Sequence, residues 1–104
     1  MERYAWKAHV REGMLPEYIR RHDEIWPEMK EMFREAQISN YSIWNVGNEI
    51  FGYYECESVE KADRIQSESP INARWDLYMK DIIDAEDDAP TLGFDKATQV
   101  FLFD

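Results

Sequence analysis

Tyr18 and His22 stand four residues apart in the run Glu17-Tyr18-Ile19-Arg20-Arg21-His22-Asp23-Glu24-Ile25-Trp26-Pro27-Glu28. On a helix, that spacing stacks the phenol and the imidazole on one face, where both address one small ligand. An imidazole with an ordinary pKa of about 6.5 gives and takes protons near neutrality, and a tyrosine hydroxyl beside it donates and accepts hydrogen bonds. Together they point to acid-base chemistry on a small polar molecule. Taken alone, a histidine late in a helix is more often a surface residue held by the helix dipole, and a tyrosine there is more often a core residue with its hydroxyl at the boundary.

Other residues join the pair. Tyr41 lies at a strand entry, and Trp26, Trp44 and Trp75 are each, singly, packing residues. As a set with His22 they form the palette of a sugar site: flat rings cover the C–H faces of a pyranose while hydroxyls and imidazole reach its oxygens. Asp76 follows Trp75 and faces either solvent or the same cleft. His9 sits on the polar side of a strand with Lys7 and Arg11, either solvated or at an interface.

The elements that must position these groups follow from periodicity. Arg3 to Arg11 alternates, with Tyr4, Trp6, Ala8 and Val10 on one side, which predicts a half-buried strand. Gly13 turns the chain and Pro16 opens a helix whose buried stripe is Met14, Leu15, Ile19 and Ile25, leaving Arg20 and Arg21 to solvent. Pro27 has no N–H and disfavours helix at Trp26, so the helix breaks there and restarts, aiming His22 and Trp26 into a cleft. A second amphipathic stretch runs to about Gln37. Asn40 to Val46 and Glu49 to Glu57 form a hairpin around Gly47-Asn48. Ser58 caps a helix through Ile65, and Ser69-Pro70 starts another reaching about Ile83. Asp84 to Asp95 reads as loop and Thr98 to Phe103 as an aromatic-rich last strand.

This order is βαββαβ, the ferredoxin-like split unit: an α+β fold with helices on one face of an antiparallel sheet. The other face needs cover, and a second copy supplies it, so a homodimer with two sheets packed face to face is predicted, a dimeric α/β barrel. With 104 residues the chain forms one domain.

Composition removes several classes of function. A formal net charge of −10 opposes binding to nucleic acid. No apolar run is long enough to span a membrane and the N-terminus lacks the order of a signal peptide, which leaves a cytoplasmic address. The single Cys56 reads as a buried filler, and His9 and His22, thirteen residues apart, match no metal-ligand spacing.

The run from Tyr18 to Glu28, with Asn40-Tyr41-Ser42-Ile43, Phe51-Gly52, Arg74-Trp75 and Tyr78-Met79, closely resembles the L-rhamnose mutarotase family in order across nearly the whole chain. The resemblance implies a dimeric ferredoxin-like enzyme that interconverts the α and β anomers of L-rhamnose without a metal or organic cofactor. It further implies that His22 is the proton donor and that Tyr18, Tyr41 and the site at Trp75 bind the sugar. Members of that family often carry two adjacent tryptophans where this chain has Trp75 and Asp76, so an apolar stacking surface is exchanged for a carboxylate. The hypothesis of mechanism is that protonated His22 delivers a proton to the ring oxygen while water, Tyr18 or Tyr41 relays the proton of the anomeric hydroxyl. The competing reading of the same fold is a dimeric α/β-barrel monooxygenase or small-molecule-binding protein, with His22 and the tryptophans framing an aromatic ligand or haem.

Overall fold

The alternation of Tyr4, Trp6, Ala8 and Val10 becomes the spine of the molecule: strand β1 (Glu2–His9) lies inside a four-stranded antiparallel sheet of order β2-β3-β1-β4. The computed structural model describes residues 1–83 and 95–103. Around β1 the chain runs α1 (Leu15–Asp23), α2 (Pro27–Glu35), β2 (Ile38–Val46), β3 (Glu49–Cys56), α3 (Val59–Glu68), α4 (Pro70–Met79) and β4 (Asp95–Lys96). This is the ferredoxin-like order and topology. Each of its two helical connections is split in two by a proline, Pro27 or Pro70, at the first turn of the second rod.

Trp6, Ala8 and Val10 of β1 and its continuation and Ile50, Tyr54 and Cys56 of β3 are buried against the helices, where Met29, Met32, Ala62, Trp75 and Met79 complete the core. The opposite face carries Trp44, Val46 and Phe51, at 68%, 73% and 41% exposure. Register explains the division: Trp44 pairs with Phe51 and Phe51 with Lys7, so these three form a row on the face away from the helices. One chain therefore presents an open sheet, not a closed barrel.

β2 begins two residues earlier than periodicity places it, because an irregularity hides its start. Register slips between Ser39 and Ser42, so Asn40 and Tyr41 together oppose Tyr54, a β-bulge. Asn40 takes φ 51°, a left-handed conformation that asparagine tolerates. The extra residue changes the parity of the strand: Ile38 and, beyond the bulge, Tyr41 and Ile43 all pack against the core.

Three expectations are corrected. Thr98 to Phe103 is not a strand; the hydrogen-bonded strand is Asp95–Lys96 against Trp6 and Lys7, followed by the Ala97 amide on the Ala5 carbonyl. Strand propensity measures fit to a pleated, half-buried surface, and in one chain Val100, Phe101 and Phe103 meet no such surface, being 79–93% exposed. Helix α4 stops at Met79 rather than Ile83, because β1 captures the next turn: the Arg11 amide bonds the Ile82 carbonyl and Ile83 bridges Val10. In α1, Ile19 is 48% exposed while the Arg21 side chain is only 10% exposed, the reverse of the expected assignment. The Arg21 guanidinium lies over the Tyr78 ring at 4.2 Å and donates to the Tyr78 carbonyl and to Asp81, so its stem covers the end of α4. The predicted loop Asp84 to Asp95 falls outside the described residues, apart from Asp95 in β4.

Candidate active site

A cavity of about 710 Å³ opens between the inner face of the sheet and the helices, and Tyr18, His22, Tyr41, Trp75 and Asp76 all line it. Its size is that of a small-molecule site. Three elements deliver these five side chains. Helix α1 carries Tyr18 and His22 one turn apart, with ring centroids 4.3 Å from each other. The helix ends just beyond them at Asp23, with the Ile25 amide closing on the His22 carbonyl at 3.2 Å before Pro27 starts α2. The bulge in β2 turns Tyr41 to the cavity side. Ser69 caps α4 by accepting the Asn72 amide, and that helix presents Trp75 and Asp76.

The histidine is held on two sides. Its Nδ1 lies 3.0 Å from the Tyr18 carbonyl oxygen. A carbonyl only accepts, so Nδ1 carries the hydrogen and Nε2 is left with the exchangeable position. Its ring stands edge-to-face with Trp75 at 5.4 Å and 89°. Behind Trp75 stands Trp26, perpendicular to it at 5.1 Å and tilted against Tyr78 at 5.2 Å. Trp26 is not among the cavity-lining residues, so the proline break aims it at the back of the tryptophan wall rather than into the cleft.

Burial tunes the groups toward their neutral forms. It pushes the His22 pKa below its ordinary 6.5, a fall partly offset by the bond to the Tyr18 carbonyl and by Asp23. Burial likewise raises the Tyr18 and Tyr41 hydroxyls above the usual phenol range, so both keep their protons and serve as donors. The Asp76 carboxyl, also partly buried, is harder to ionise than an exposed aspartate. Among the described residues no three His, Cys, Asp or Glu side chains group to hold a metal ion, and no helix is long and apolar enough to cross a membrane.

Two residues that periodicity reads only as strand positions shape the cavity wall, one by lining it and one from beneath. Trp6 lines the cavity and donates its indole N–H to the Tyr41 hydroxyl at 3.1 Å. Gly52, its cross-strand partner, makes room for it: a Cβ there would lie 2.0 Å from the indole Cε2. A glycine inside an otherwise β-rich run is the one signal that could have announced this close approach.

A family model described as L-rhamnose mutarotase matches residues 3–103 of the sequence. The chain belongs to the L-rhamnose mutarotase family. An L-rhamnose mutarotase of Lachnoclostridium phytofermentans is 42% identical over 90 residues, which span 85% of this chain and 86% of that one. The crystal structure of an L-rhamnose mutarotase from Formosa agariphila superposes with a TM-score of 0.85 at 25% identity, covering 100% of both chains. A dimeric ferredoxin-like protein from an uncultured marine organism shares the fold, with a TM-score of 0.63 at 16% identity over 97% of this chain and 95% of that one. Between the isomerase and the oxygenase readings of this fold, family membership selects the isomerase.

Proposed function

We propose that the cavity interconverts the α and β anomers of L-rhamnose, with His22 as the proton-transfer group, Tyr18 and Tyr41 as hydrogen-bond donors to the sugar oxygens, and Trp75 and Asp76 as the wall that holds the pyranose. The observation that carries this reading is the convergence of all five side chains on one cavity in a chain of the mutarotase family.

The depressed pKa of His22 changes the order of steps expected from the sequence. At neutral pH the imidazole enters neutral, so Nε2 first takes the proton of the anomeric hydroxyl. Those electrons form the C1 carbonyl as the bond from C1 to the ring oxygen breaks, and the released oxygen takes up the proton from the imidazolium. Both oxygens are attached to C1, so one nitrogen serves both. After rotation about the C1–C2 bond the sequence runs backward on the other face of C1, with His22 now donating to the new anomeric oxygen. The histidine thus acts first as base and then as acid in opening, and again in closing, and the tyrosine hydroxyls stabilise charge on the departing oxygen. The aromatic wall holds the sugar by shape and so allows the open chain to turn.

The same proposal makes the working unit a homodimer in the cytoplasm. Trp44, Val46 and Phe51 on the open face, with Val100, Phe101 and Phe103 in the terminal segment, are apolar surface that a second copy would cover. The likeness to a protein described as a dimeric ferredoxin-like one supports it. Saturation-transfer NMR between the anomers of L-rhamnose tests the activity, with L-fucose as comparison. Exchange on L-rhamnose far above the uncatalysed rate is expected, and exchange equal to buffer alone would overturn the reading.

A further inference from the structure

We propose that Trp6 is a positioning residue for this reaction: its indole N–H fixes the Tyr41 hydroxyl as a donor to the sugar's ring oxygen, and Gly52 supplies the space that lets it do so. The inference rests on the reading of Tyr41 as a sugar contact.

The sheet order makes the arrangement unusual. Trp6 is on β1 and Tyr41 on β2, and β3 lies between them. Two strand spacings amount to about 10 Å, so only a long flat side chain laid across β3 brings a donor from one to the other. The indole does this directly over Gly52, where a Cβ would sit 2.0 Å from Cε2 and 2.3 Å from Nε1. At the receiving end, the bulge at Asn40 and Tyr41 turns the phenol onto the same face. The regular alternation of β1 at Trp6, the missing side chain at Gly52 in β3 and the bulge in β2 therefore meet in one hydrogen bond of 3.1 Å.

That bond has a direction. An indole nitrogen donates and never accepts, so the Tyr41 oxygen is the acceptor and its own proton must point elsewhere. Contacts with Phe33 at 5.3 Å and Tyr54 at 5.1 Å confine the ring, but the hydroxyl proton turns freely about the C–O bond unless a partner decides for it. Trp6 is that partner, and the phenol faces the cavity as a donor. Every hydroxyl of a pyranose both donates and accepts, whereas the ring oxygen only accepts. A phenol committed to donating is therefore matched to the ring oxygen, the atom that gains electron density when the C1–O bond breaks. A donor aimed there strengthens in the transition state and acts on kcat more than on KM.

The test is a double-mutant cycle on anomer exchange with L-rhamnose, using the full chain: wild type, Trp6→Phe, Tyr41→Phe and the double variant, with melting temperature followed for each. Trp6→Phe is expected to lower kcat about tenfold, the scale of one oriented hydrogen bond, while KM stays within a factor of about two. In the Tyr41→Phe background the same change is expected to cost nothing further. Equal losses in both backgrounds would show that Trp6 only supports the fold, and an unchanged kcat in Trp6→Phe beside a slow Tyr41→Phe would overturn the positioning role alone. Wild-type exchange in Tyr41→Phe would overturn the reading of Tyr41 itself. Gly52→Ala repeats the cycle without altering either partner: it displaces the indole, and its loss of kcat is expected only where Tyr41 is present.

Discussion

On the inner face of the sheet Trp6, Tyr41 and Tyr54 lie under the helices with their polar tips partnered, Trp6 to Tyr41 and the Tyr54 hydroxyl to Gln66. Among the described residues, Trp44, Val46 and Phe51 on the outer face meet no helix, and the charges beside them pair with one another, Lys7 and His9 both to Glu49. Both faces draw on the same aromatic and aliphatic residues, and a composition with 14% aromatics does not tell them apart. What separates them is whether an aromatic's polar atom is aimed at a concave space or left on a flat one. The first arrangement builds a ligand site and the second an unpartnered surface.

The two faces are therefore separable by mutation. The largest effect belongs to the inner one: His22→Asn is expected to slow anomer exchange by on the order of 10²–10⁴ while leaving the mass in solution unchanged. Saturation-transfer NMR and analytical ultracentrifugation on the same sample read both, and wild-type exchange would remove His22 from the chemistry. On the outer face, Val46→Glu with Phe51→Glu places charge where a second copy is expected, at residues that do not line the cavity. A central aromatic contact is worth about 2 kcal/mol, or about 30-fold in Kd, so the pair should shift the population to monomer in sedimentation. Exchange per chain should change far less than in His22→Asn. An unaltered mass would mean that the open face is not the interface.

The pH dependence sharpens the comparison, because His9 on the outer face and His22 on the inner one stand in different surroundings. Burial holds His22 below 6.5, and the neutral ring is the active form, so kcat/KM should fall on the acid side with a midpoint below 6.5. The sign for stability follows. As pH drops through 6.5 the unfolded chain takes its proton on His22 before the folded one does, so stability is lost from there down to the folded pKa, and is fully present above 6.5. His22→Asn should flatten that part of the melting-temperature profile, whereas His9→Asn should leave the acid limb of kcat/KM in place.

Most of the fold was legible because each element carried a local signal: alternation in β1, prolines at the starts of α2 and α4, serine caps, and the Gly47-Asn48 turn. Tyr18 and His22 were legible for the same reason, since helical spacing alone puts them together. Tyr41, Trp75 and Asp76 stand out only by residue type and resemblance, and their meeting with the histidine depends on how separate elements pack. The Trp6–Gly52–Tyr41 arrangement left almost no trace, because it joins three strands and depends on the absence of a side chain at one of them. The terminal strand failed for a related reason. Residues 98–103 have strand-forming side chains, but a ladder needs a neighbour, and propensity says nothing about whether one chain supplies it.

The smallest effect contrasts two carboxylates, one on each side of the sheet. Glu49 is held below the ordinary carboxylate range by hydrogen bonds from His9 and Lys7, while burial raises Asp76 above it. A raised folded pKa means that ionisation is costlier in the folded state. The cost is absent below the ordinary value of 3.8, sets in as pH rises through the folded pKa, and is fully present at pH 7. Asp76→Asn should therefore raise Tm slightly at pH 7 and not at pH 3, whereas Glu49→Gln, which removes a favourable charge, should lower it slightly at pH 7. If Asp76 accepts a sugar hydroxyl, the same Asp76→Asn protein should also show a higher KM for L-rhamnose, because an amide accepts more weakly than a carboxylate. A lower Tm for Asp76→Asn at pH 7 would mean that the carboxylate is stabilised where it stands and that the cavity side of α4 is not the desolvating surface described above.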